Sequence, residues 1–154
     1  MISERELKMN KTLQMKKLKA VYLLNTASYD NIYGAEERAD LSQLLEFIHP
    51  QLDAETVINA PAEVLREVEV IVSGWGMIRL DATTLDLFPR LKLVLYGAGS
   101  VKNFVTPEMW VRGILIVSAW SGTWWDVCMT AHARISTSLC AGRPELRPRA
   151  NLHR

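Results

Sequence analysis

Two short loops that contain glycines are the part of this sequence best suited to bind a ligand. Gly97-Ala98-Gly99 directly follows residues 91–96, and Gly74-Trp75-Gly76 follows residues 68–73, both of which are mostly apolar. Apolar runs of this length are typical of strands that are buried on both faces of a parallel sheet. Open α/β sheets bind ligands at the carboxyl ends of their strands. The sequence therefore predicts a ligand-binding edge with a bare backbone at residues 97–99.

Strand and helix patterns alternate along the chain and would position these loops. Strands are predicted at residues 18–25, 55–59, 68–73, 91–96 and 114–117, with a polar loop at residues 26–31. Helices are predicted at residues 35–48, 61–66 and 82–88, and from Pro107, with Thr106 as N-cap, to Gly113. This order predicts an α/β fold: a flavodoxin-like five-stranded parallel sheet with flanking helices, followed by an irregular C-terminal tail.

Two other domains with this pattern fit the residues less well. A response-regulator receiver needs an acidic pair after its first strand and an Asp at the end of its third, but the sequence has Asn25-Thr26 and Ser73-Gly74-Trp75 there. A flavodoxin wraps a phosphate in a hydroxyl-rich, glycine-containing loop after its first strand. Here that loop offers hydroxyls but reaches its first glycine only at Gly34. The receiver is excluded, and the flavodoxin remains a weaker alternative.

The region around the glycine loop resembles the D-isomer-specific 2-hydroxyacid dehydrogenases. Leu91-Lys92-Leu93-Val94 and Tyr96-Gly97-Ala98-Gly99-Ser100 are similar to that family's strand and G-x-G loop, and residues 110–117 (WVRGILIV) are similar to its next helix and strand. The resemblance covers residues 18–121, most of the family's N-terminal, substrate-side lobe. It implies hydride transfer between NAD(P)H and a small 2-oxo or 2-hydroxy acid, usually in a homodimer.

The resemblance also implies which residues bind the substrate. In that family, backbone amides of the glycine-containing loop hold the substrate's carboxylate, and this role falls on Gly97, Ala98 and Gly99. Trp75 and Gly76 would border the same cleft. Two alternatives remain open: the glycines only permit a tight turn, and Trp75 packs over helix ends. One departure is that residues 101–104 (VKNF) stand where the family often has Asp-Asn.

The residues that would carry out hydride transfer are missing from the sequence. No G-x-G-x-x-G turn for a dinucleotide occurs in the 154 residues. The family's catalytic Arg, Glu and His lie downstream of the matched region, and none of His49, His132 and His153 is placed to replace them. NAD(P) is implied for the parent family, but we expect this chain to bind no cofactor, to hold no catalytic residue and to be inactive alone. A non-catalytic small-anion-binding or protein-interaction module is the alternative.

The composition changes abruptly where the family's interdomain linker should begin. Residues 123–154 contain five arginines and no lysine, whereas residues 1–122 contain seven lysines and six arginines. We therefore predict an N-terminal extension at residues 1–17, a substrate-side domain at residues 18–121, and a disordered tail at residues 122–154 that is read out of frame or comes from a degraded gene copy. A basic nucleic-acid-binding tail is the rival interpretation.

Overall composition excludes several classes of partner. A net charge of +1 gives no reason to expect nucleic acid or an anionic membrane. No stretch reaches the roughly 18 apolar residues that span a bilayer. Cys128 and Cys140 match no metal-ligand spacing and are interpreted as reduced thiols. These features predict a cytoplasmic protein, and the resemblance implies a small 2-oxo or 2-hydroxy acid as its partner.

Overall fold

The predicted parallel sheet is present in the computed structural model, which describes residues 17–119. Its five strands are all parallel and lie in the order β2-β1-β3-β4-β5. The strands are β1 (Leu18–Tyr22), β2 (Leu45–Phe47), β3 (Val70–Ser73), β4 (Leu93–Tyr96) and β5 (Leu115–Ser118). This is the strand order of flavodoxin-like doubly wound folds, so the predicted fold class is confirmed. The expectations for residues 1–16 and 120–154, including both cysteines and the arginine-rich tail, lie outside the described residues.

Helices cover both faces of the sheet. They are α1 (Thr26–Ile32), α2 (Ala35–Leu44), a 3-10 helix (Val57–Asn59), α3 (Ala62–Glu67), α4 (Ala82–Leu87) and α5 (Pro107–Val111). Tyr33 and Leu41, from the connection between β1 and β2, pack on one face of the strands. Leu65, Leu85 and Met109, from the other three helices, pack on the opposite face. The sheet is therefore buried on both sides, which explains why β3 and β4 are fully buried and, apart from Ser73, built of apolar and aromatic residues.

Three predicted elements were wholly or partly wrong, and the structure gives the cause of each. The predicted loop at residues 26–31 is α1, which begins because the side chain of Asn25 caps its N-terminus. The predicted helix at residues 35–48 ends at Leu44, and the next three residues form β2 by pairing with β1. The predicted strand at residues 55–59 contains the 3-10 helix, because Asp53 accepts hydrogen bonds from the amides of Glu55 and Thr56 and turns the chain.

The predictions around α5 were mostly correct. Pro107 occupies the first helical turn, and Gly113 follows the helix with a positive φ of 69°. Thr106 holds the N-cap position, but its hydroxyl makes no capping hydrogen bond. Instead, the Thr106 Oγ1 donates to the carbonyl of Leu80 at 2.6 Å. This buried bond ties the start of α5 to the segment that leads into α4.

Candidate functional site

The carboxyl ends of β1, β3 and β4 lie side by side at one edge of the sheet. β3 is the direct neighbour of both β1 and β4, and Ser73 pairs with Tyr96 at the end of the β3–β4 ladder. The predicted ligand loops therefore leave adjacent strands at the same edge. Asn25 follows β1 at this edge, so three consecutive strands of the sheet contribute to the candidate site.

Ser73 connects these loops through buried hydrogen bonds. Its side chain is fully buried, and its Oγ donates to the carbonyl of Leu23. Its own carbonyl accepts from the Gly97 amide at 2.8 Å and from the Tyr33 hydroxyl at 2.6 Å. The Gly97 amide is thus engaged within the protein. Gly97 can give a ligand room to approach, but it does not offer a free amide.

The next two amides of the loop are differently placed. Among the described residues, no protein atom accepts a hydrogen bond from the amide of Ala98 or of Gly99. Ala98 is only 6% exposed, and Gly99 is half-buried. A partly buried amide without an acceptor costs free energy unless water or a ligand accepts its hydrogen bond. Neither Gly97 nor Gly99 has the positive φ that would require glycine, so backbone strain does not explain this glycine pair.

The loop after β3 borders the same edge. Gly76 has a φ of 84°, a conformation that strongly favours glycine. A β-carbon at this position would lie 2.9 Å from the Cγ and 3.0 Å from the Cβ of Asn25, so the position has no room for a side chain. Trp75 is 59% exposed, so most of its indole faces solvent instead of packing over helix ends.

Asn25 contacts this loop and was not predicted as a site residue. Its Oδ1 accepts from the Ser28 amide at 2.7 Å, which caps α1. Its side-chain amide lies against Gly76. The sequence did contain a signal, because an Asn directly after a buried strand is a preferred N-cap.

The segments that follow β3 and β4 carry cations and no carboxylate. Residues 74–80 and 97–105 include one cationic side chain each, Arg79 and Lys102, and no carboxylate. The nearest acidic group in the sequence, Asp81, caps α4, and hydrogen bonds from Thr84 lower the pKa of its carboxyl. At the end of β4, burial raises the pKa of the Tyr96 phenol, which therefore stays neutral at physiological pH. Its ring packs on Phe104, with centroids 4.8 Å apart.

Within residues 17–119, no group of three or more His, Cys, Asp or Glu side chains is placed to hold a metal ion. In the same range, no helix combines the length and apolar character needed to cross a membrane.

Comparison with known proteins supports the fold. No protein-family model matches the sequence, and no curated protein matches it significantly. A phosphoglycerate oxidoreductase from Rhizobium etli is 22% identical with a TM-score of 0.51, over 67% of this chain and 31% of that one. Two further structures are less similar to this chain, with TM-scores below 0.5. They are D-lactate dehydrogenase from Aquifex aeolicus complexed with NAD and lactic acid (17% identity, TM-score 0.48, 84% of this chain and 40% of that one) and a phosphoglycerate oxidoreductase from Vibrio cholerae O395 (20%, 0.49, 89% and 45%).

The first structure confirms the predicted resemblance at the level of the fold. The described sheet has the fold of part of that oxidoreductase, while the chain spans less than half the length of each of the three proteins.

Proposed function

We propose that residues 18–121 are the substrate-side lobe of a 2-hydroxyacid dehydrogenase-like oxidoreductase. The parent reaction is hydride transfer between NAD(P)H and a small 2-oxo or 2-hydroxy acid. The observation that carries this proposal is the pair of amides at Ala98 and Gly99, which have no protein acceptor among the described residues and lie at the carboxyl edge of the sheet. That edge is where ligands bind in open α/β folds.

Each predicted site residue has a role in this proposal. The amides of Ala98 and Gly99 bind the carboxylate of the acid, since amides suit an anion where side chains do not obstruct it. Gly97 anchors the loop through its bond to Ser73 and leaves space beside it. Trp75 and Gly76 border the cleft, and Trp75 offers an exposed apolar surface to the acid's carbon atoms.

The β4 exit loop lacks the arrangement that binds a dinucleotide in open α/β folds. A pyrophosphate binds where a glycine-rich turn opens directly into a helix N-terminus. Here Gly97-Ala98-Gly99 is followed by a turn at residues 102–104, and α5 begins only at Pro107. No step of the proposal is therefore assigned to NAD(P) on this lobe. We expect no steady NADH oxidation by the 154 residues alone with glyoxylate, pyruvate or hydroxypyruvate.

Binding of a substrate analogue tests the carboxylate site. We expect oxamate to change the tryptophan fluorescence of the purified chain saturably, because Trp75 borders the cleft. The chain has five tryptophans, so the Trp75→Phe variant is needed to assign the signal. Trp110→Phe is the matched control, because Trp110 is 60% exposed on α5. A saturable change that persists in Trp75→Phe and disappears in Trp110→Phe would contradict the proposed site.

The alternative is a non-catalytic module for small anions or a protein partner. This alternative would be favoured if acetate and sulfate bound with the same affinity as oxamate, because simple anion binding needs no second oxygen-bearing carbon.

A cytoplasmic location and assembly into homodimers also remain predictions. Sedimentation velocity across a concentration series measures the oligomeric state directly.

A further inference from the structure

We infer that the outer edge of β5, together with the exposed Trp110 on α5, is an interaction surface for residues 123–129 of the same chain (TWWDVCM). These residues pair with β5 as an antiparallel strand in a hairpin. The surface lies at another side of the sheet from the candidate ligand site, so this inference does not depend on the proposed function.

The outer edge of β5 lacks the features that usually protect an edge strand. β5 is last in the sheet order, and β4 is the one described strand that pairs with it. Because the Leu115 amide donates to the Lys92 carbonyl, the backbone groups of the next residue, Ile116, face away from β4. At the opposite edge, β2 carries the exposed Glu46, whereas β5 has no charged residue and no proline. An apolar edge of this kind is a template for another strand.

The side chain of Trp110 projects on the side of α5 that faces this edge. Met109 is fully buried against the sheet, and Arg112 pairs with Asp86 of α4. At 3.6 residues per helical turn, Trp110 lies on the flank of α5 opposite to Arg112 and therefore away from α4. Since α4 connects β3 to β4 and α5 connects β4 to β5, that flank faces outward past β5. Trp110 is 60% exposed there, which leaves apolar surface for an added strand.

The chain is ready to turn back at the end of β5. Ala119, the residue that follows the strand, has a 3-10 helical backbone. Residues 119–122 (AWSG) form a four-residue link that ends in glycine. Hairpin loops of four residues are most often built around a type I turn, whose first residues have helical dihedral angles. The conformation of Ala119 and the glycine at position 122 therefore fit a hairpin loop.

Residues 123–129 have the pattern of a strand that packs on one side. In a hairpin closed by residues 118 and 123, Trp125 lies opposite Ile116, which packs on the α5 side of the sheet. The same side receives every second residue of the segment, namely Thr123, Trp125, Val127 and Met129. Three of these four are large and apolar, and the one charged residue of the segment, Asp126, falls on the other side.

This segment is favoured over a second copy of the chain as the occupant of the edge. A four-residue link holds the segment beside β5 at a high effective concentration, whereas a second copy must first associate. The glycine and prolines that favour disorder in the tail come later, within residues 142–148. The inference therefore moves the start of the predicted disorder from residue 122 to beyond residue 129.

Amide hydrogen exchange and nuclear Overhauser effects in the isotope-labelled full-length chain test the inference. The wild-type chain should show contacts between the Trp125 indole and the Ile116 methyl groups. Trp125→Pro removes an N–H group that faces β5, and Trp124→Pro, the matched control, removes one that faces away, where an edge strand tolerates proline. Exchange of the Ile116 amide should be about tenfold faster in Trp125→Pro than in the wild-type chain, and about unchanged in Trp124→Pro. The Val94 amide, within the β4–β5 ladder, reports whether the sheet stays intact.

The inference is overturned if the wild-type chain shows no contact between Trp125 and Ile116, or if the Ile116 amide exchanges equally fast in the wild-type chain and in Trp125→Pro. Protection of Ile116 that rises with protein concentration and survives Trp125→Pro would assign the edge to a second copy and would also overturn it. If Trp125→Pro speeds exchange at Val94 as well, the variant has disturbed the sheet, and the wild-type contacts alone decide.

Discussion

Gly76→Ala and Gly113→Ala form a matched pair that measures the contact between Asn25 and the β3 exit loop. Both glycines have a positive φ, 84° and 69° respectively. An alanine in this conformation costs about 1–2 kcal/mol, and the effect of the exchange on the unfolded chain is similar for both. No atom lies within 4 Å of a β-carbon built at Gly113, so Gly113→Ala should cost this strain alone.

At Gly76 a second cost is added. A β-carbon there would lie 2.9 Å from the Cγ of Asn25 and closer still to its Nδ2, so the Asn25 side chain must rotate away. Rotation breaks the capping bond to the Ser28 amide, which costs about 1 kcal/mol. The expected loss of unfolding free energy is therefore about 2–3 kcal/mol for Gly76→Ala, against about 1–2 kcal/mol for Gly113→Ala.

Urea unfolding followed by far-ultraviolet circular dichroism gives both values. In an Asn25→Gly background, where both the cap and the Cβ contact are absent, Gly76→Ala should cost no more than Gly113→Ala. The reasoning would be refuted if the two alanines were equally destabilising in the wild-type chain. It would also be refuted if the extra cost at Gly76 persisted without Asn25.

Two further predictions concern the same edge and its neighbour. Ser73→Ala removes the one described donor to the buried Leu23 carbonyl and should cost about 1–3 kcal/mol of unfolding free energy. Tyr33→Phe should cost less, about 0.5–1.5 kcal/mol, because the Ser73 carbonyl keeps its bond from the Gly97 amide; the reverse ranking in urea unfolding would contradict this network. Hydrogen bonds from Thr84 lower the pKa of Asp81 below its usual 3.8, so its stabilising effect is complete above that pH and is lost as pH falls through the lower folded-state pKa. Asp81→Asn should therefore flatten the pH dependence of the urea midpoint below about pH 4, and an unchanged slope would show that the cap contributes nothing.

The central strands could be predicted because burial on both faces leaves a simple pattern. Residues 68–73 and 91–96 are nearly continuous apolar runs, and β3 (Val70–Ser73) and β4 (Leu93–Tyr96) lie within them. The strands are shorter than the runs because Val68 and Leu91 belong to the buried connections before each strand. A core residue outside a strand has the same apolar character as one inside it.

The boundary between α2 and β2 could not be read from the sequence. No glycine or proline separates Leu44 from Leu45, and apolar residues at positions 41, 44, 45 and 48 fit a helical period. What ends the helix is the pairing of Leu18 with Leu45 and of Ala20 with Phe47. That pairing joins residues far apart in the chain, so tertiary contacts override the local pattern.

The candidate site was also predictable only in part. Its loops were predictable, because glycines after buried strands are a local signal. Its organisation was not, because Ser73 and its partner Leu23 are 50 residues apart. Nothing near Ser73 in the sequence indicates that its carbonyl accepts from both Tyr33 and Gly97.

This organisation has a consequence for ligand binding. A site holds a small ligand well only if the groups around it are already fixed by packing and hydrogen bonds. Here the β4 exit is fixed by Gly97 on the Ser73 carbonyl, and Asn25 is fixed by its cap on α1. Both anchors lie in or directly beside the sheet, so in the proposed function the exit-loop amides are positioned before an acid arrives. Ser73→Ala should therefore weaken oxamate binding as well as stability, although Ser73 is fully buried and cannot touch the ligand.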